Sequence, residues 1–272
     1  MLAILFPSIN PIAIHLGSQS IHWYGISYII GIFLSSYVLE KIRTKLQLIN
    51  PSTKDLDNML SYIMIGIIIG GRLGYIFFYH PFIIINNFWE IFQIWHGGMS
   101  FHGGLIGVIL SLWIFCLQYN KEFLLITDLV SCVAPIGLFF GRIGNFINAE
   151  LYGKKTNASW GIIFPNSDYC ARHPSQLYEA IFEGVMLFII MVYTLNCLQK
   201  IDKPNNEYTQ KKNINGILSG VFLIFYAIFR IIIEVVREPD SHIGYFFYIL
   251  SLGQILCFPM IIVGAYLIYK TL

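Results

Sequence analysis

The sequence predicts an all-α polytopic membrane protein of about seven transmembrane helices, with the N-terminus outside and the C-terminus in the cytosol. Three observations predict it. Of 272 residues, 56% are hydrophobic and 12% charged, where a soluble domain carries about 25% charged residues. Apolar runs of about 20 residues, the length of one crossing, recur along the chain. The lysines and arginines between them gather in alternate loops.

The first 20 residues hold no Lys or Arg, and Pro7 and Pro11 interrupt their apolar run. A cleaved signal peptide needs a positive start and an unbroken core, so this segment reads as an uncleaved tail at the interface. The spans are expected at 22–40, 58–79, 101–119, 124–147, 177–198, 216–236 and 246–269. Together they form a single integral membrane domain over 1–272. Trp23, Tyr24, Tyr79, Trp89, Trp95, Tyr119, Tyr245 and Tyr248 mark span ends, as interfacial aromatics do. Lys41, Arg43, Lys45 and Lys54 follow span one, Lys121 follows span three, and Lys200, Lys203, Lys211 and Lys212 follow span five. Lys270 follows span seven. The alternate loops carry only Lys154, Lys155, Arg172 and Arg237. Residues 148–176 are then the longest outward loop, and chemistry is expected on that side.

A net charge of +2 without a basic stripe excludes a nucleic-acid partner. Five scattered cysteines form no C-x-x-C pair. Four fall in spans, as buried apolar thiols, and Cys170 falls in a loop.

The informative residues are the polar ones at membrane depth. A charged side chain at the bilayer centre costs about 2.5–3.5 kcal/mol or more, so such groups are kept to hold a substrate, an ion or each other. Arg72, Arg142 and Arg230 lie within spans. In span six, Tyr226, Arg230, Glu234 and Arg237 follow at steps of four, four and three and share one face. Either Arg230 and Glu234 form an internal pair, or the stripe is a cationic face aimed at a phosphate, which a guanidinium fork grips through two oxygens. Arg72, in a run of small residues, fits a structural pair as well as a ligand contact.

His96-Gly97-Gly98-Met99-Ser100-Phe101-His102-Gly103-Gly104 reads as a glycine-rich re-entrant turn whose amides approach a ligand. Within it, His102 is a candidate general base or a histidine that fixes the turn. No carboxylate stands at metal-ligand spacing from these histidines, so no metal site is expected. From Gly141 to Gly153, Arg142 precedes Asn145, Asn148 and Glu150. The asparagines, one helical turn apart, offer donors and acceptors to a hydroxylated headgroup. Glu150 either neutralises Arg142 or serves as an acid or base. Arg172-His173-Pro174-Ser175-Gln176-Leu177-Tyr178-Glu179 leads into span five, with Ser175 partly readable as a helix start.

The run Gly141–Gly153 resembles the signature of the phosphatidylglycerol–prolipoprotein diacylglyceryl transferases: glycine, arginine, any, small, asparagine, phenylalanine, aliphatic, asparagine, any, glutamate, two any, glycine. His-Trp-Tyr-Gly at 22–25, Gly-Gly-Met-Ser-Phe-His-Gly-Gly at 97–104, Arg-His-Pro-Ser-Gln-Leu-Tyr-Glu at 172–179 and Phe-Arg-Ile-Ile-Ile-Glu at 229–234 are also similar to it, in the family's order. The likeness runs from about Pro11 to Tyr266, and only the outward segment between Gly153 and Arg172 looks short. It implies a multi-pass enzyme of the bacterial inner membrane, its active site toward the periplasm, that moves diacylglyceryl from phosphatidylglycerol to the lipobox cysteine of a prolipoprotein. It also implies that Arg142 and Arg230 bind phosphate and lipid, and that Tyr24, His102, Asn145, Glu150, Gly153, Tyr226 and Glu234 are important. Of these, His102, Arg142, Arg230, Tyr24 and Glu150 are the expected catalytic set. Arg142, Asn145, Gly153, Tyr226, Arg230 and Glu234 are the expected lipid-binding set. The nucleophile is the substrate's thiol, and no cofactor is required.

Three other readings use the same residues. A secondary transporter of an anionic solute would use the arginines at a midplane site, but such folds usually show paired halves and no repeat is visible. An intramembrane serine protease would need Ser100 and His102 as a dyad, which an extended turn points to opposite faces. A structural scaffold leaves the outward-clustered polar residues unexplained.

Overall fold

A computed structural model describes residues 4–17, 19–79, 88–93, 98–165, 167–201, 215–238, 245–246 and 250–271. Two compact units make up the chain, one of Met1–Leu39 with Asp128–Leu272 and one of Glu40–Thr127. Among the described residues, six helices are long and apolar enough to cross a membrane, and Gly103–Gln118 is a shorter apolar one. About seven spans therefore fits. His96, Tyr248 and residues 202–214 lie outside the described residues.

The helices of the first unit are the first part of α1 (Trp23–Lys45), most of α4 (Phe123–Ile147), α5 (Ser175–Glu179), α6 (Leu187–Ile201), α7 (Ile217–Glu234) and α8 (Leu252–Thr271). Between α5 and α6 the chain is π-helical over Ala180–Met186, so 175–201 is one continuous rod with a widened middle turn. Gly184 lies in that turn and presses onto Phe139 of α4, where an added Cβ would meet Phe139 Cβ at 2.7 Å. Apolar packing of α7 against the rod centres on Leu187, Tyr226 and Phe229.

A helix N-terminus whose amides are unsatisfied is a liability in hydrocarbon. For α7 the solution comes from α4. Asp128, 4% exposed, accepts from the amides of Gly216 (2.8 Å) and Ser219 (2.7 Å) and from the Ser219 hydroxyl (2.6 Å). Gly216 reaches this cap at φ +104°, a conformation that suits glycine.

Outside the spans, β1 (Ile4–Leu5), β4 (Ile162–Ile163) and β5 (Ala171–Arg172) form a sheet in the order β1-β4-β5, parallel between β1 and β4 and antiparallel between β4 and β5. Its apolar side gathers Phe6, Phe146, Tyr152 and Phe164. The N-terminal segment is thus bound to the 148–176 loop, and β2 (Ile12–Leu16) and β3 (Gln19–His22) make a hairpin leading into α1.

In the second unit, α2 (Thr53–Tyr79) and α3 (Phe101–Gln118) pack with their backbones almost touching. A Cβ on Gly66 would lie 2.5 Å from the Gly107 carbonyl oxygen, and one on Gly74 would lie 2.5 Å from Gly103 Cα. This corrects the re-entrant turn expected at 96–104 over its second half. Among its described residues, 98–100 is irregular, with Gly98 at φ +78°, and Gly103 and Gly104 are helical. Gly103 serves helix–helix approach, as small residues do in membranes. Ser100 caps α3 by accepting from the Gly103 amide, which accounts for it without a protease dyad.

Arg72 is 4% exposed and donates to the carbonyls of Glu90 (2.5 Å), Ile91 (3.2 Å) and Gly98 (3.3 Å). It holds the 3₁₀ turn Phe88–Phe92 and the approach to α3 against α2, so the structural reading of Arg72 holds. At the other end, Lys121 joins Asp55 (2.6 Å) and Asn50 (2.5 Å).

Candidate functional site

The first unit buries a six-membered ion network. Arg142 comes from the last turns of α4, Glu179 from the end of α5, Glu183 from the π-helical turn, and Arg230 and Glu234 from α7. Arg237 follows two residues of turn. Arg142 lies 3.2 Å from Glu179 through Nε and 3.4 Å from Glu183 through Nη2. Arg230 Nη1 donates to Glu179 Oε1 at 2.7 Å and stands 3.7 Å from Glu183, while its Nη2 is 3.1 Å from Glu234. Arg237 donates to the same Glu179 oxygen at 2.6 Å. Glu179 and Glu183 are fully buried, which a carboxylate tolerates only when paired.

The internal pair that was one of the two readings of the span-six stripe is present, as part of a larger network. Arg230 pairs with Glu234 and also meets two carboxylates from the neighbouring rod, so three guanidinium groups face three carboxylates. Tyr226 is buried one turn before Arg230, and Gly253 of α8 covers the Glu234 carboxylate, where a Cβ would sit 3.1 Å from Oε1.

A second polar group adjoins the end of α4. The Asn145 amide donates to Glu150 Oε1 at 2.8 Å, and both residues neighbour the Tyr24 side chain. The hydroxyls of Tyr24 and Tyr28 are 3.0 Å apart. The Tyr24 ring lies on Gly144, where a Cβ would meet it at 2.8 Å. Glu150 is not the neutraliser of Arg142: its carboxylate goes to Asn145, and Glu179 and Glu183 neutralise the arginine. Asn148 Oδ1 is buried without a hydrogen bond.

Gly153 lies in a clasp between the 148–176 loop and the end of α7. Its amide donates to the His173 carbonyl (2.8 Å), and it bridges Arg237 as a β-partner. A Cβ there would be 2.5 Å from the Val236 carbonyl oxygen, so only glycine allows the approach. Arg172 donates to the Gly153 carbonyl at 3.2 Å, pairs with Glu238 and Asp168, and lies over the Tyr152 ring at 5.0 Å. The Lys155 hydrogen bond, with help from Arg172, holds Asp168 down to about 2, and Asp168 in turn raises Lys155. Burial holds His173 below its ordinary value. Ser175 is not a helix cap: Pro174 takes that position, and the Ser175 hydroxyl donates to the Leu151 carbonyl at 2.9 Å.

The structure thus brings Arg142, Tyr226, Arg230 and Glu234 into one network and Tyr24, Asn145 and Glu150 into another, with Gly153 in the clasp. His102 lies in the first turn of α3, in the other unit, and its side chain lies outside the described residues. Glu179 and Glu183 are the residues that sequence reasoning missed as site residues. Their signal was present: two acids four apart inside an apolar span, the same rule that picked out Arg230 and Glu234. Among the described residues, no group of three His, Cys, Asp or Glu is disposed to hold a metal ion.

Residues 11–270 match the family described as prolipoprotein diacylglyceryl transferase. The chain is 50% identical over 270 residues to the phosphatidylglycerol–prolipoprotein diacylglyceryl transferase of Rickettsia bellii strain OSU 85-389, covering 98% of this chain and 97% of that one. It is 49% identical over 266 residues to the protein of that name from Rickettsia felis, with 98% of each chain covered. For the Rickettsia typhi protein of that name the figure is 48%, again with 98% of each chain covered. Together with the signature Gly141–Gly153 leading out of the Arg142 network, these matches show that the chain belongs to the prolipoprotein diacylglyceryl transferase family.

Proposed function

We infer that this chain is a membrane transferase that moves the diacylglyceryl group of phosphatidylglycerol to a prolipoprotein. What carries the inference is family membership over nearly the whole chain, with the signature arginine Arg142 buried beside Arg230 on the same carboxylate, Glu179. A transporter reading has no comparable support.

In the finer reading, the acceptor is the thiol of the lipobox cysteine. Its sulfur attacks the glycerol carbon that bears the phosphate. The new bond is C–S, the broken bond is C–O, and glycerol phosphate leaves with the electron pair. Arg142 and Arg230 stabilise the charge that grows on the leaving phosphate, as preorganised donors do in an oxyanion site. Tyr226 and Glu234 orient Arg230, and Tyr24, Asn145 and Glu150 offer hydrogen bonds to the glycerol headgroup. Gly153 keeps the outward loop against the end of α7. A thiol has a reference pKa of about 8.5, so removing its proton, by His102 or through the arginine field, raises the reactive thiolate. His102→Gln tests this: as a base, its loss slows transfer strongly at pH 7 and less at pH 9, whereas an equal loss at both assigns it to positioning.

The enzyme is placed in the bacterial inner membrane as one integral domain, N-terminus outside, C-terminus in the cytosol, and chemistry toward the periplasm. Loop charge supports this orientation. The cations of the outward loop are engaged internally: Lys155 by Asp168, Arg172 by Glu238, and Lys154 by the Val235 carbonyl at 2.8 Å.

The deciding experiment incubates purified protein with phosphatidylglycerol labelled in its diacylglyceryl part and a short lipobox peptide. Mass spectrometry is expected to find one diacylglyceryl group on cysteine, and none on a Cys→Ser peptide. Folded protein that leaves the cysteine unmodified would refute the reading.

A further inference from the structure

The ion network of the first unit is balanced as it stands, with Arg142, Arg230 and Arg237 against Glu179, Glu183 and Glu234. A phosphodiester brings one more negative charge. Four anions against three cations at this burial leave one charge uncompensated, which is costly in a low dielectric. The simplest relief is a proton on one carboxylate.

The three carboxylates are not equally held. Glu179 Oε1 accepts from Arg230 at 2.7 Å and from Arg237 at 2.6 Å, and its other oxygen lies 3.2 Å from Arg142. Glu234 stands 3.1 Å from Arg230 on its own helix. Glu183 is the most weakly held: its contacts are 3.4 Å to Arg142 and 3.7 Å to Arg230. Its Oε1 is buried with no hydrogen bond, as are Glu179 Oε2 and Glu234 Oε2, but Glu183 alone has no cation nearer than 3.4 Å, and it is fully buried on the π-helical turn. Such turns are often found at functional sites. The charged and titratable groups that face it are Arg142 from α4, Glu179 from the same rod, Tyr226, Arg230 and Glu234 from α7, Arg237 beyond α7, and Cys257 from α8.

We propose that Glu183 is a positioning residue that gives up Arg142 and Arg230 to the incoming phosphodiester and takes one proton from solvent as it does so. The proposal rests on the phosphatidylglycerol reading. Its signature is a linkage. Because the bound state holds one more proton, affinity falls as pH rises, by up to about tenfold per pH unit between the titration points of Glu183 without and with the lipid. The phosphodiester itself does not titrate there.

The test measures binding of fluorescent phosphatidylglycerol to the full chain in phosphatidylcholine nanodiscs, without peptide, from pH 6 to 9. Wild type is expected to weaken with rising pH. Glu183→Gln is expected to lose the slope and, at pH 8 and above, to bind several-fold tighter than wild type, because a competing anion is gone. Tight binding by wild type with no slope overturns the proton coupling and leaves the functional reading standing. A slope retained in Glu183→Gln, or weaker binding by it, overturns the assignment to Glu183. Wild type that binds no phosphatidylglycerol at any pH overturns the reading beneath the proposal as well. Should the variant not fold, calorimetry on wild type in two buffers of different ionisation heat counts the protons directly: uptake approaching one supports the coupling, and zero refutes it.

Discussion

Arg142 and Arg230 each answer two fully buried carboxylates, so replacing either by alanine does more than remove a phosphate contact. Breaking a buried pair from one side costs about 3–5 kcal/mol. Arg142→Ala and Arg230→Ala are expected to abolish transfer and also to lower the melting temperature in detergent, which separates them from a purely catalytic loss. Gly153→Ala is expected to open the clasp, because its Cβ meets the Val236 carbonyl at 2.5 Å. Overpacking of this kind costs about 1–3 kcal/mol, read as faster hydrogen exchange in the loop and reduced transfer. The loop also carries a pH signature. His173 is held below its ordinary value by burial, so the unfolded loop binds the proton more readily. Loop stability is then full above about pH 6.5 and is lost as pH falls below it toward the depressed folded value. Asp168, held to about 2, loses its contribution only below about pH 4. Hydrogen exchange of residues 153–173 at pH 7.5 and 5.5 checks the His173 window apart from that of Asp168.

At the scale of elements, Asp128 is the clearest dependency, since three donors at the start of α7 converge on it from another helix. Asp128→Ala removes the acceptor these donors share, at about 1–3 kcal/mol for a lost buried hydrogen-bond partner, and a fall in melting temperature is expected. This link was invisible in the sequence, because Asp128 and Ser219 are far apart along the chain and neither carries a local pattern. The α7 stripe was legible, because step-four spacing on a helix settles which side chains share a face. What spacing leaves open is the facing helix, and so an internal pair and a cationic face stayed alternatives, with Glu179 and Glu183 opposite the stripe unforeseen. Gly103 misled for a related reason: glycine permits both a tight turn and a close helix contact, and only the partner, Gly70 and Gly74, decides between them.

For the whole molecule, span number followed from hydropathy alone, because hydrocarbon leaves few alternatives to an apolar helix. Orientation rests on loop charge, and cysteine labelling from each side of sealed vesicles tests it: a cysteine placed at Tyr169, which is 82% exposed, is expected to react from outside, and one placed at Lys270 only from within. The glycine seam of the second unit reaches further than packing. At about 1.5 Å per residue, the 27 residues of α2 are about 40 Å long and the 18 of α3 about 27 Å, against a hydrocarbon layer of about 30 Å. Backbones in such close register cannot slide past one another. A thinner or thicker membrane must therefore be met by tilting both helices as a single plank, so that lipid thickness acts on this unit as a lever acts on a hinge.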